Sequence, residues 1–310
     1  MATTRFLARP ALTLALLLAL TGCVTASKTV AEAPPPPTAV DQAAPANDNL
    51  NAVLWTQSSV EYRLIAGQTY RSALAMLDKA IKSPDWDALP KGERDGTVRG
   101  LPLAVIVDVD ETVLDNSPYQ ARLVAGNTSY DEYTWSLWVN ERAATAVPGA
   151  VEFSRAAAAR GVTVFYVTNR AADLAGATEE NLRAVGFPIA APGQILGLGT
   201  VVEGCEAEGS EKGCRRRLVA RSHRVLLQIG DQLGDFVDVT DNSPGGRESA
   251  VRPYLAWVGE RWFVLPNPTY GSWEPALFGN DWRQSEAARR ERKRAALRVG
   301  SPLATPQSNQ

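Results

Sequence analysis

The chain has 310 residues, 45% of them hydrophobic, and a formal net charge of −2; it can bury a full core and is too nearly neutral for electrostatic capture of a nucleic acid polymer. A single histidine, His223 in "RSHRVLL", makes a two-histidine zinc site, a histidine-based phosphatase and a Ser-His-Asp hydrolase poor readings. The remaining chemistry runs on carboxylates, a lysine and hydroxyls.

Residues 1–22 read as a secretory leader, because Arg5 and Arg9 precede the apolar run "ALTLALLLAL", which is too short to span a bilayer. The "LTGC" that closes it resembles the lipobox of bacterial lipoproteins. That resemblance implies cleavage before Cys23, acylation of Cys23 with palmitate or a similar chain and, with Val24 next in line, an outer-membrane anchor facing the periplasm or the surface. Residues 23–50, centred on "AEAPPPPTAVDQAAPANDN", read as an extended tether. A domain is expected over 51–279 and a charged tail over 280–310.

The domain opens with apolar residues at helical spacing, Val53, Leu54, Val60, Leu64, Ala73, Leu74, Leu77 and Ile81, which predict one or two helices packed on the core. "KSPDWDALPKGERDG" reads as a loop. Three apolar runs follow, "LAVIVDVD", "VTVFYVTNR" and "RVLLQIGDQ", separated by helical segments such as "PGAVEFSRAAAARG" and "ATEENLRAVG". That alternation predicts an α/β fold with a parallel sheet and flanking crossover helices. Ligands of such sheets sit beyond the carboxyl ends of the strands, so Asp108, Asp110, Thr168, Asn169 and Asp231 are expected to converge. A fourth run, "RWFVLPN", leads into "PTYGSWE". The tail "DWRQSEAARRERKRAALR" reads as a charged helix or as disordered, with a basic face that is solvated.

Clustered acids at a strand end repel one another unless a cation sits among them. Asp108 and Asp231, with the backbone carbonyl of Asp110, could hold Mg²⁺, a hard cation that prefers oxygen ligands. Of Asp108 and Asp110, one could attack as nucleophile while the other acts as general acid and then base. With Cys23 acylated, Cys205 and Cys214 are the two remaining cysteines of an exported protein, a setting in which a disulfide is expected; two separate thiols in a loop is the alternative.

"DVDETVLD" matches the D-x-D-E-T-x-x-D first motif of the haloacid dehalogenase (HAD) phosphohydrolases, "VFYVTNR" resembles their second motif, "SEKGCRRR" stands where the third motif's lysine belongs, and "IGDQLGDF" resembles their fourth. "DETVLDNSPY", "AVPGAVEF", "FYVTNR", "GDQLGDF" and "LPNPTYGSWE" together resemble the bacterial class C acid phosphatases of the outer-membrane lipoprotein e type, over about Val53 to Glu274. The resemblance implies a Rossmann-like HAD fold with an N-terminal helical segment and a small cap. It makes Asp108 the nucleophile and Asp110 the acid/base, with Thr168, Asn169 and Lys212 on the phosphoryl oxygens. Asp108, Asp231 and the carbonyl of Asp110 would hold Mg²⁺, with Asp235 in or near its outer shell. Two positions depart from the pattern: Gln232 stands where the family usually has Asn, and Gly234 where it has a further acid or Asn.

The same resemblance places "YDEYTWSLWV" in the cap, with Trp135 and Tyr270 flanking a nucleobase, core packing being the alternative for both rings; Trp138, three residues along the same helix, is read as core. It implies an acid phosphatase preferring nucleoside 5′-monophosphates, a small-molecule substrate with no nucleic acid polymer as partner, and leaves a homodimer open. A broad sugar or aryl phosphomonoesterase and an inactive ligand-binding lipoprotein are the alternatives.

Overall fold

The computed structural model describes residues 47–206 and 209–300; the leader, Cys23 and the tether up to residue 46 lie outside the described residues. Two helices open the domain, α1 (Leu50–Ser58) and α2 (Val60–Lys82). The side chain of Ser59 caps α2 by accepting from the Tyr62 amide, and Glu61 in the first turn with Lys79 and Lys82 in the last complement the helix dipole. The buried face of α2 is Tyr62, Ala66, Tyr70, Ala73, Leu77 and Ala80, spaced three and four apart. Val60 and Leu64, expected on the core face, are 53% and 61% exposed, because the stripe that meets the sheet is built from small and aromatic residues one step round the helix. Gly149 allows the close approach on this side: a Cβ there would lie 3.1 Å from Tyr70 Cβ and 3.3 Å from Gly67 Cα, and its φ is +90°.

Strand β1 (Leu103–Val107) is followed by β2 (Leu114–Asp115), α3 (Ser117–Gly126), α4 (Glu132–Glu141) and β3 (Thr145–Ala146), with β2 and β3 paired antiparallel. This small hairpin with its two helices is the cap. Then come α5 (Ala150–Ala159), β4 (Val162–Ala171), α6 (Ala175–Val185), β5 (Ile195–Leu198), α7 (Gly213–Ala220), β6 (Arg224–Gly230), α8 (Pro244–Val251), β7 (Trp262–Val264), α9 (Trp273–Ala276) and α10 (Glu286–Ala295).

The main sheet runs β5-β4-β1-β6-β7, every pair parallel. Side chains alternate across β1: Val105 and Val107 join a core with Ala73, Leu77 and Phe153, while Ala104 and Ile106 join one on the opposite face with Phe236 and Trp262. From β1 the chain builds outward through β4 to β5, then returns to β6 and β7 on the other side. The carboxyl end of β1 is therefore the switch point, where a crevice opens. Strand β5 was not expected, since "ILGL" is short and carries a glycine. Gly197 is required there, because a Cβ would lie 2.8 Å from the Arg170 carbonyl oxygen and 2.9 Å from Ala172 Cα. Among the described residues no helix is long and apolar enough to cross a membrane.

Candidate active site

Strand β1 ends at Val107, so Asp108 and Asp110 lie just past its carboxyl end. The Asp108 amide still donates to Ile229 O at 2.9 Å, which fixes the residue at the sheet's edge. Both aspartates line one cavity of about 1600 Å³, together with Asn169, Lys212, Asp231, Asp235, Trp135 and Tyr270.

Lys212 is buried and bridges two acids, its Nζ 2.5 Å from Asp108 Oδ1 and 2.7 Å from Asp235 Oδ1. Its backbone is fixed at the start of α7. The Gly213 amide donates to Asp238 Oδ1 at 2.9 Å, and a Cβ at Gly213 would fall 2.0 Å from Asp238 Oδ2. Cys214, one residue further, is joined to Cys205 by a disulfide, which ties the loop before α7 to the helix that presents the lysine. Arg215 and Arg216 are internal struts rather than part of a basic surface. Arg216 is buried, paired with Glu93 and Asp238 and donating to the carbonyls of Gly234 and Asp235. Arg215 holds the Thr168 carbonyl and donates to Asn169 Oδ1 at 2.7 Å.

Carboxylate oxygens of Asp108, Asp231 and Asp235 lie within 4.8 Å of one another. Burial, and then Asp235 beside it, push Asp231 up to about 7. Burial raises Asp108 well above the carboxylate range, with Asp235, Asp231 and Asp110 adding to the rise and Lys212 opposing it. Two buried carboxylates and one half-buried, which repel one another and have a single ammonium between two of them, fit a hard divalent cation. The Asp110 carboxylate takes no part in this cluster; the metal role implied for that residue is its backbone carbonyl.

Local rules set the cluster. Residues Leu233–Asp235 form a 3₁₀ turn in which the Gln232 amide donates to Asp235 Oδ2 at 2.8 Å. A Cβ at Gly230 would meet that oxygen at 2.3 Å. Gln232 donates from Nε2 to Asp231 Oδ2 at 2.7 Å and to the Tyr270 carbonyl at 3.1 Å. Asn267 donates to Asp231 Oδ2 at 2.8 Å and Thr112 to Oδ1 at 3.2 Å.

Asp110 has different surroundings. Its Oδ1 accepts from Arg170 Nε at 2.9 Å and Asn116 Nδ2 at 2.9 Å, and its Oδ2 from the Thr168 hydroxyl at 3.3 Å. Asn116 in turn accepts from the buried Trp138 indole at 2.8 Å. Thr168 is buried and does not line the cavity; its hydroxyl, which also accepts from the Arg170 amide, buttresses Asp110. Asn169 is exposed on the cavity wall.

Sequence reasoning gave no role to Arg170, Asn116 or Glu111. Glu111 sits at φ +58°, accepting from the Asn116 amide at 2.8 Å and from the Tyr270 hydroxyl. Burial, with Asp110 next to it, pushes its carboxyl up to about 8. Tyr270 is therefore fixed to the first motif through its hydroxyl. Trp135 is 8% exposed, its ring edge-on to Tyr119 at 5.1 Å and 5.5 Å from the Arg170 guanidinium. Most of that ring packs, and only part of it reaches the cavity.

The sequence model of the family described as HAD superfamily, subfamily IIIB (acid phosphatase) matches residues 28–273. The structure is similar to that of the class C acid phosphatase from Bacillus anthracis, at 33% identity and TM-score 0.69, covering 82% of this chain and 98% of that one. The tungstate-bound form of that protein gives 0.70 with the same identity and coverage. Curated plant relatives are more distant. The stem 31 kDa glycoprotein of Glycine max is 26% identical over 165 residues, 53% of this chain and 58% of that protein. Acid phosphatase 1 of Solanum lycopersicum is 27% identical over 165 residues, 53% and 57%. Vegetative storage protein 2 of Arabidopsis thaliana is 26% identical over 166 residues, 53% and 55%. The chain thus spans a little over half the length of the curated relatives it matches.

Proposed function

This chain belongs to the acid phosphatase family of the HAD superfamily, subfamily IIIB, and from that premise we propose that it is a Mg²⁺-dependent phosphomonoester hydrolase acting on nucleoside 5′-monophosphates through an aspartyl-phosphate. One relative is named as a storage protein, so membership alone does not carry activity. The observation that does is the division of labour between two acids on one cavity: Asp108 faces Lys212, Asp231 and Asp235, while Asp110 faces Arg170, Asn116 and Thr168.

In the first step an Asp108 carboxylate oxygen attacks phosphorus as the bond from phosphorus to the ester oxygen breaks. The electron pair leaves with the alkoxide, which takes a proton from Asp110. In the second step Asp110 takes a proton from water, the water oxygen attacks phosphorus, and the bond to Asp108 breaks to return the carboxylate and free phosphate. Lys212 and the Asn169 amide face the cavity where the phosphoryl oxygens would sit. Asp108 and Asp231, with the Asp110 carbonyl, would hold Mg²⁺ and Asp235 would flank it; the ion supplies charge neutralisation between the attacking carboxylate and the phosphate dianion.

The burial of Trp135 favours a second reading, a broad phosphomonoesterase with little grip on the base. The leader and "LTGC" support an outer-membrane lipid anchor at Cys23. Phosphate release by purified protein from a nucleoside monophosphate, a sugar phosphate and an aryl phosphate, with Mg²⁺ and with chelator, tests the reading. Metal-dependent release fastest from the nucleotide is the expected result. Equal rates on all three favour the broad enzyme, and no release from any overturns the activity.

A further inference from the structure

The charged segment after residue 279 does not present its basic face to solvent alone, as its composition suggested. Along and just beyond α10, Glu286, Arg289, Arg290, Lys293, Arg294 and Leu297 recur three and four apart, the spacing of one helix face, and all six line the cavity that holds Asp108 and Asp110. This helix lies beyond residue 273, where the family match ends. It is docked by ion pairs: Arg290 Nε to Asp48 Oδ1 at 2.9 Å, Lys293 Nζ to Asp48 Oδ2 at 3.1 Å and to Glu274 Oε1 at 2.9 Å. Glu286 lies 3.7 Å from Arg290.

These contacts match the acids at this end of the cavity with Arg290 and Lys293 and leave two guanidiniums over. Arg289 donates to the backbone carbonyls of Trp282 and Gln284 at 3.1 Å each, its Cζ 5.3 Å from the Trp282 ring, so it is held in place by neutral groups. Arg294 makes no side-chain hydrogen bond or ion pair among the described residues. The cavity, at about 1600 Å³, exceeds the roughly 300–1,000 Å³ of ordinary small-molecule sites. A substrate with one phosphoryl group, held at Asp108, brings no second anion to the α10 wall.

We propose that Arg289 and Arg294 form a second anion subsite that takes the remote phosphate of a substrate bearing two phosphate groups, such as a nucleoside bisphosphate, while the reacting phosphoryl meets Asp108. The proposal rests on the phosphatase reading for its chemistry. Guanidinium forks match phosphate oxygens in geometry as well as in charge. Because the two arginines sit on a helix outside the catalytic motifs, they select among substrates without taking part in bond breaking.

The test compares adenosine 3′,5′-bisphosphate with adenosine 5′-monophosphate on the wild type and on the Arg289→Gln/Arg294→Gln double variant, by kcat/KM and, in parallel, by calorimetric binding. The wild type should favour the bisphosphate by about tenfold, the scale of one charge-assisted contact. The double variant should lose that preference while its monophosphate values change by less than about twofold. Equal values for the two nucleotides in the wild type, or parallel losses in the variant, overturn the subsite. Should neither ester be hydrolysed, the phosphatase reading fails, yet tighter binding of the bisphosphate that the double variant loses still supports the subsite, and equal binding overturns it. Phosphatidylglycerol vesicles form the last arm: binding that depends on the two arginines, with no bisphosphate preference, overturns the subsite in favour of a membrane-facing helix.

Discussion

Arg170 holds Asp110 Oδ1 from two nitrogens at once, Nε at 2.9 Å and Nη2 at 2.8 Å, and reaches Asn116 Oδ1 and Thr178 Oγ1 with the rest of its fork. The guanidinium is buried, so its planar geometry sets where the Asp110 carboxylate points. Lysine would keep the charge and lose the fork. Arg170→Lys should therefore lower turnover of an alkyl phosphate by about 10- to 100-fold, the worth of one or two hydrogen bonds to a charged group. With para-nitrophenyl phosphate, whose leaving group needs little help from an acid, the pre-steady-state release of nitrophenol should change much less, while adduct hydrolysis, which needs Asp110 as base, slows for both esters. An equal loss in the rate of adduct formation from the two esters in a folded variant would mean that Arg170 serves the fold and not Asp110.

How much of this was legible in the sequence follows from what each residue type can do locally. The strands β1, β4, β6 and β7 announce themselves as apolar runs ending in polar residues, and the acids at their ends lie where parallel-sheet topology puts them. Lys212 was placed by its position between motifs, and the disulfide at Cys214 and the Arg216 struts explain how a glycine- and arginine-rich stretch can hold it. Strand β5 was not legible, because Gly197 is there for a close approach to β4 that exists only in three dimensions. Arg170 was also hidden: its partners Asp110, Asn116 and Thr178 come from separate stretches of chain. The pairing of Glu111 with Tyr270 joins residues 159 positions apart, and no local pattern signals it.

The Cys205–Cys214 bridge closes a loop of nine-residue separation beside Lys212. A loop so short limits the gain in stability to about 3 kcal/mol or less. The larger consequence should fall on the lysine. Cys205→Ser should lower kcat/KM, through a looser Lys212, by a larger factor than the shift in thermal midpoint accounts for; activity unchanged at a lowered midpoint would confine the bridge to a stabilising role.

Tyr270 and Trp135 offer rings to the cavity from opposite motifs, but Trp135 is too deeply packed for clean truncation, since removing a buried aromatic costs about 3–5 kcal/mol. Tyr270→Ala is the cleaner probe. If its ring supports the nucleobase, the variant should lose roughly 1–3 kcal/mol in kcat/KM on a nucleoside monophosphate and far less on glycerol phosphate. Tyr270→Phe, which removes only the hydroxyl donated to Glu111, should keep the stacking and show how much of the loss belongs to the hydroxyl. Parallel losses on both substrates would assign the ring to the core.

If Asp108 attacks phosphorus and Asp110 governs release, a covalent adduct forms on the first and persists when the second is lost. Asp110→Asn protein mixed with para-nitrophenyl phosphate and Mg²⁺ can still form the adduct, because the leaving group departs unaided, but lacks the base for its hydrolysis, a contribution of typically 10²–10⁴-fold. Acid quenching followed by peptide mass spectrometry should find one phosphoryl group on the peptide carrying Asp108, accumulating in Asp110→Asn and absent from Asp108→Asn, which should not turn over. A phosphoryl group on another residue, or wild-type turnover by Asp108→Asn, would contradict the account.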